Sequence, residues 1–142
     1  MDKELRQQLG IKPGNRVCLF NVRNYLLPAF TQGDLQLMMD WAESGCDAVV
    51  YWLQPKDDAA DIMSRLEGQI KRSGRIWLIM PVSDIAKRLG FELDWEDIRN
   101  SVLDATSMVD NKRLSISGGE FATQFVFRKT AREEALEREN KK

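Results

Sequence analysis

Residues 47–80, DAVVYWLQPKDDAADIMSRLEGQIKRSGRIWLIM, change their hydrophobic period twice, and that change decides the fold class. Val49, Val50, Tyr51 and Trp52 make a β-branched and aromatic run too short for a helix, so residues 47–53 read as a strand that Pro55 ends. From 57 to 72 the apolar positions become Ala59, Ile62, Met63, Leu66 and Ile70, one stripe of a helix with Gly74 as its stop. Residues 75–80, RIWLIM, are continuously apolar again and are broken by Pro81. Strand, helix and strand in succession form a βαβ unit, and strands apolar on both sides belong in a sheet covered on both faces.

Working outward, residues 16–22, RVCLFNV, read as an earlier strand of the same buried kind, entered through the turn Lys12-Pro13-Gly14-Asn15. Residues 2–9 form a short polar helix ending at Gly10, with Leu5 and Leu9 one turn apart. Leu35, Met38 and Ala42 stand at helical spacing, so a helix is expected over 34–44 with Gly45 closing it. Beyond Pro81, residues 84–89 form a short helical turn. Asp94 caps a core helix that presents Trp95, Ile98, Val102 and Ala105 on one face. Residues 112–117 and 121–129 flank Ser117-Gly118-Gly119-Glu120, a glycine pair suited to a tight hairpin. The pattern is α/β, a two- or three-layer sandwich with three parallel strands and a C-terminal antiparallel hairpin. It is a single domain over 1–129 with a charged tail over 130–142.

Composition narrows the chemistry. The 142 residues carry 21 Lys and Arg against 22 Asp and Glu, a net charge of -1, which lacks the basic excess of a nucleic-acid or membrane-surface binder. No partner of either class is expected. Histidine is absent, which excludes a histidine general base, Ser-His-Asp and Cys-His pairs, and every imidazole metal site. No metal site is expected. Cys18 and Cys46 lie in or beside apolar runs and read as buried thiols. The first residues lack the apolar stretch of a signal peptide, and the apolar runs fall far short of the roughly 20 residues of a membrane span, so a cytoplasmic protein is expected.

The run Gly10-Ile11-Lys12-Pro13-Gly14-Asn15-Arg16-Val17 before an apolar strand resembles the entrance to the first strand of the S-adenosylmethionine-dependent methyltransferase fold. Residues 47–53 with the following helix, then residues 73–81, are similar to the stretch spanning that fold's fourth and fifth strands, and the hairpin corresponds to its last two. The chain also resembles an uncharacterised family of small bacterial proteins of unknown function, through Lys12-Pro13-Gly14, Trp77 to Pro81, Asp94 to Asp97 and Ser117-Gly118. The resemblance implies a truncated Rossmann-like or methyltransferase-like fold. It also implies a glycine-rich turn after the first strand, where this chain has Asn21-Val22-Arg23-Asn24-Tyr25, and an acidic ribose clamp after a second strand. The 24 or so residues between the first two expected strands leave no room for that fold's second and third strands, so the clamp is expected to be missing and no cofactor is expected.

In parallel α/β sheets ligands bind beyond the carboxyl ends of the strands. The residues placed there are Asn21, Arg23 and Asn24, then Gln54, then Ser83, with Arg23 or Lys56 to meet an anion and Asp84 as the one acid or base. The same residue types also serve ordinary turns and caps, and Lys56-Asp57-Asp58 is a regular helix start. Trp41, Trp52, Trp77 and Trp95 fit core packing better than a stacking platform. The leading expectation is therefore a non-catalytic protein that acts through association, with a degenerate nucleotide site. A small-ligand or nucleotide-binding module using those five residues is the alternative, and a methyltransferase-like enzyme is the third reading. If the three parallel strands run 1-2-3, residues 16–22 form an open edge and both crossovers lie on one face. The other face is left thinly covered, and an isologous homodimer is expected to bury that face or edge. A 2-1-3 order would instead create a crevice beside Asn21 and Asn24.

Overall fold

Strand β3, Cys46–Trp52, shows how the sheet is built, because its side chains alternate between two cores. Val49 and Tyr51 join a cluster on one face, whereas Ala48, Val50 and Trp52 join a second cluster on the other. The computed structural model describes residues 2–31, 34–39, 45–116 and 119–128. Around β3 lie β1 (Arg16–Phe20), β2 (Gln36–Met38), β4 (Ile70–Pro81), β5 (Met108–Ile116) and β6 (Glu120–Phe127), in the spatial order β2-β1-β3-β4-β6-β5. The pairs β2–β1, β1–β3 and β3–β4 are parallel, and β6 runs antiparallel to β4 and β5. The α/β class and the closing hairpin are as expected. Ser117, Gly118 and the tail over 130–142 lie outside the described residues.

The expected helix over 34–44 is instead, in its described part, strand β2; residues 40–44 lie outside the described residues. Leu35 and Leu37 pack on one core and Met38 on the other, a period of two that the wider spacing of Leu35, Met38 and Ala42 concealed. The sheet thus has four parallel strands rather than three. Residues 16–22 are not an edge, because Arg16, Val17 and Cys18 pair with Gln36, Leu37 and Met38.

Strands β1, β3 and β4 do run in the expected 1-2-3 order, but β2 on the far side of β1 reverses the direction of travel. A right-handed connection from β1 to β2 then lies on the opposite face from the β3–α2–β4 crossover. That connection, including the 3-10 turn Leu27–Ala29, and helix α1 (Asp2–Gln8) cover the face expected to be thin. Leu9, Phe30, Val50, Trp52 and Trp77 there are buried, and the Trp77 indole donates to the Leu9 carbonyl at 2.9 Å. A seven-residue helix is marginal in water. Large buried side chains such as Leu9 and Phe30, worth about 1.5–3 kcal/mol each, are enough to hold this segment down.

Helix α2 (Ala59–Glu67) starts at Asp58, whose carboxylate accepts from Asp61 N at 3.1 Å. It stops at Gly68 rather than Arg72, because β4 already begins at Ile70 and Gln69 O accepts from Cys46 N at 2.9 Å. Gly74, expected as the helix stop, sits inside β4 beside the irregular pairing of Cys46 and Ala48. A Cβ there would come 2.9 Å from Lys71 O and 3.1 Å from Cys46 O. Helices α3 (Ser83–Leu89) and α4 (Trp95–Ala105) complete the first face, and Asp94 caps α4 by accepting from Asp97 N at 2.9 Å. Trp52 and Trp77 are core residues as expected, while Trp41 lies outside the described residues. Cys18 and Cys46 are buried thiols, and desolvation together with the neighbouring Cys46 pushes Cys18 up to about 12. No described helix is long and apolar enough to cross a membrane.

Candidate functional site

The reversal of strand order sets a switch point between the carboxyl ends of β1 and β3, the position at which open α/β sheets form a ligand crevice. The 1-2-3 order of β1, β3 and β4 has no reversal of direction by itself and would lack such a point, which β2 supplies. The chain leaves β1 through Asn21, which has φ 59 and is the one non-glycine residue of positive φ among the described residues. Asparagine tolerates this left-handed conformation because its short carboxamide bonds locally. Here its Nδ2 donates to Trp52 O, the last carbonyl of β3, at 3.0 Å, and Gln54 Nε2 donates to the same oxygen at 3.3 Å.

A second set of bonds closes the loop after β3. Asp57 Oδ2 accepts from Gln54 N at 2.8 Å and from the Tyr51 hydroxyl at 3.3 Å. Burial, followed by the Asp57 carboxylate, pushes the Tyr51 phenol up to about 12, and a hydrogen bond with Asn21 works in the opposite direction. Arg23 bridges from the β1 loop to Glu120 at the start of β6, with Nη2 to Oε2 at 2.9 Å. The Glu120 side chain is only 8% exposed, and its hydrogen bond holds the guanidinium above its ordinary range.

Of the five residues placed by sequence, Asn21 and Gln54 converge on one carbonyl, and Arg23 is spent on Glu120. Asn24 is exposed in the turn before Leu27–Ala29. Ser83 opens α3 and lines a separate cavity of about 490 Å³ at the carboxyl end of β4. A neighbouring cavity of about 520 Å³ is lined by Lys56, Asp57 and Asp58 on one side and by Phe91 and Leu93 on the other. The loop 90–94 divides the two. From sequence Asp94 reads as a helix cap and Trp95 as a core residue, and no site is expected here, although Glu92-Leu93-Asp94-Trp95-Glu96-Asp97 carries four carboxylates around two large apolar residues. Asp84 is exposed at the first turn of α3, and no group of three or more potential Cys, Asp or Glu metal ligands occurs among the described residues.

The strand order and the antiparallel β6 between β4 and β5 can be compared with solved proteins. The chain superposes on the mitomycin 7-O-methyltransferase MmcR with a TM-score of 0.64 at 12% identity, over 89% of this chain and 54% of that one. The fold is methyltransferase-like. The N-methyltransferase NodS from Bradyrhizobium japonicum matches at TM-score 0.57 and 10% identity, over 90% of this chain and 97% of that one. A TehB-like SAM-dependent methyltransferase from Corynebacterium glutamicum matches at TM-score 0.56 and 9% identity, over 89% and 88%. This chain therefore spans about half the length of MmcR and nearly all of the two smaller enzymes. No family model and no curated protein matches the sequence.

A methyltransferase-like fold implies adenosylmethionine, and the loop after β1 does not fit that group. A cofactor drawn close to backbone N–H groups needs glycines there, and residues 21–25 contain none. Asn21 and Arg23 also turn their polar ends to Trp52 O and Glu120 rather than leaving them free for a ligand.

Proposed function

We propose that this chain is a non-catalytic, methyltransferase-like protein that works through association with other protein, its nucleotide crevice having become a structural junction. The observation that carries this reading is the state of the β1 exit. Asn21 is bonded to Trp52 O, and Arg23 is paired with the buried Glu120, so the groups nearest the switch point hold the fold together. The homodimer edge expected at residues 16–22 is not the surface involved, since β2 covers it. Thermal unfolding with and without millimolar adenosylmethionine or adenosylhomocysteine tests the reading, because a ligand at about 100 times its Kd raises stability by about 2.7 kcal/mol. No shift is expected. A clear rise would overturn the proposal.

The switch point itself favours a second reading, a small-ligand or nucleotide-binding module. In this reading Asn21 and Gln54, which meet at the end of β3, face a ligand other than adenosylmethionine. A thermal-shift screen of nucleotides and phosphorylated metabolites separates the two readings.

A further inference from the structure

Five large apolar side chains are left exposed among the described residues, and three of them, Val82, Leu89 and Leu93, lie on α3 and the loops at its two ends. Val82 and Leu93 line the cavity of about 490 Å³ at the carboxyl end of β4. Its floor is rigid. The half-buried Trp95 packs edge-on against Phe121 with ring centroids 5.5 Å apart and tilts against Phe125 at 6.2 Å. An aromatic anchor already fixed in this way loses little freedom when a partner covers it.

The rim supplies the chemistry. Glu92, Asp94, Glu96 and Asp97 all line the cavity, and Lys87 and Arg113 are the cations facing them. Arg113 is committed to the face of Phe121, with its guanidinium carbon 3.9 Å from the ring centroid. Asp94 is committed to capping α4. Glu92, Glu96 and Asp97 form no ion pair among the described residues and stand exposed around the apolar floor. An apolar floor with a net acidic rim complements a segment that presents apolar side chains flanked by cations, whose aliphatic stems cover the floor while their charged heads reach the rim.

We propose that the cleft beside residues 92–97 docks a lysine- or arginine-bearing apolar segment of a partner protein. This rests on the association reading and names its surface and partner chemistry. The acidic rim disfavours nucleic acid and anionic lipid through like-charge repulsion.

Fluorescence anisotropy with two short amphipathic helical peptides, one of Leu and Lys and one of Leu and Glu, tests the assignment. The Leu/Lys peptide should bind saturably at one per chain and weaken as salt rises, while the Leu/Glu peptide should not bind. The double variant Glu92→Lys/Glu96→Lys should lose at least about tenfold in affinity, which is about 1.4 kcal/mol. Leu93→Ser should lose about threefold or more, as the apolar half of the contact requires. Asp104→Lys, at the far end of the same helix, should change affinity by less than about twofold. Equal binding by the charge-reversed double variant, or by the Leu/Glu peptide, would overturn the surface. So would a chain that dimerises until Leu93→Ser makes it monomeric, since the cleft would then serve a second copy. If no peptide binds and adenosylmethionine still gives no thermal shift, this surface fails and the association reading stands. A shift with adenosylmethionine removes that reading whatever the peptides do.

Discussion

The carboxyl ends of β1 and β3 and the carboxyl end of β4 are neighbours in one sheet and have opposite characters. At the first, the side chains that reach the switch point bond within the chain: Asn21 and Gln54 to Trp52 O, Tyr51 to Asp57, and Arg23 to Glu120. At the second, Val82 and Leu93 are exposed, and Glu92, Glu96 and Asp97 face solvent. A strand end that binds a ligand by backbone approach must leave its N–H groups and small residues free. A strand end that meets another protein needs rigid apolar anchors and a charged rim. The difference therefore separates a junction that stabilises this chain from a surface that stabilises something else.

The sharpest way to break the comparison is Arg23→Ala. It leaves Glu120, 8% exposed, without its cation, and removing one partner of a largely buried pair costs several kcal/mol when water cannot reach the survivor. The Arg23 side chain is itself 36% exposed, so some screening remains, and a loss of about 2–3 kcal/mol is expected by denaturant unfolding. Arg23→Ala combined with Glu120→Gln should recover part of that loss, because no uncompensated charge is then buried. A loss below about 0.5 kcal/mol for the single variant, the level of an ordinary surface change, would show that the β1 exit is not a junction.

Asn21 ranks next. Asn21→Ala keeps the left-handed backbone without the carboxamide and should cost about 1–2 kcal/mol, from the strain of an alanine at positive φ and one lost hydrogen bond. Asn21→Gly should cost less than the alanine variant, because glycine adopts φ 59 freely. If alanine proves no worse than glycine, the conformation at Asn21 is not what holds the loop.

These two residues also show how much was legible. Asn21 and Gln54 could be placed at strand ends from sequence because the apolar runs before them are continuous, and the structure brings both to the same carbonyl. The partner of Arg23 could not, since Glu120 is 97 positions away and is reached only through the order of four strands. That order turned on β2, three residues long and set in a stretch where Leu35, Met38 and Ala42 stand at helical spacing. One missed strand changed an edge into an interior strand, a bare face into a covered one, and a sheet without a switch point into one that has it. The α4 cap at Asp94 and the hairpin were readable because each has a local signal in the sequence, a carboxylate before a helical stripe and a glycine pair between two strand-like runs. The cleft was missed because Leu93 and Trp95 resemble core positions until the structure leaves one exposed and the other half-buried.

A pH titration sharpens the same contrast from the Tyr51 side. The Tyr51 phenol is pushed up to about 12 by burial and by the Asp57 carboxylate, against about 10 in an unfolded chain. A folded pKa above the unfolded one means that Tyr51 contributes stability fully below pH 10 and loses it as pH rises through 12. Alkaline unfolding of the wild type should therefore steepen between about pH 10 and 12, and Tyr51→Phe should remove that part of the slope while costing about 1 kcal/mol at neutral pH. An unchanged slope in Tyr51→Phe would place the alkaline transition on other groups.

The smallest expected effect belongs to the open end, and its smallness is the point. Leu93 is 53% exposed and Leu89 is 55% exposed, so each has little apolar area left to lose on truncation. Leu93→Ser and Leu89→Ser should each change the unfolding free energy by less than about 0.5 kcal/mol, the range of surface substitutions away from packed features. The loop that carries Leu93 is fixed by other contacts, since Phe91 N donates to Ala86 O at 3.0 Å and Asp94 caps the next helix. Measured beside Arg23→Ala, the pair gives the comparison its scale: a strand end costly to disturb next to one that tolerates truncation. A loss above about 1.5 kcal/mol for Leu93→Ser would instead make that leucine a prop of the loop, and its exposure would then carry no information about a partner.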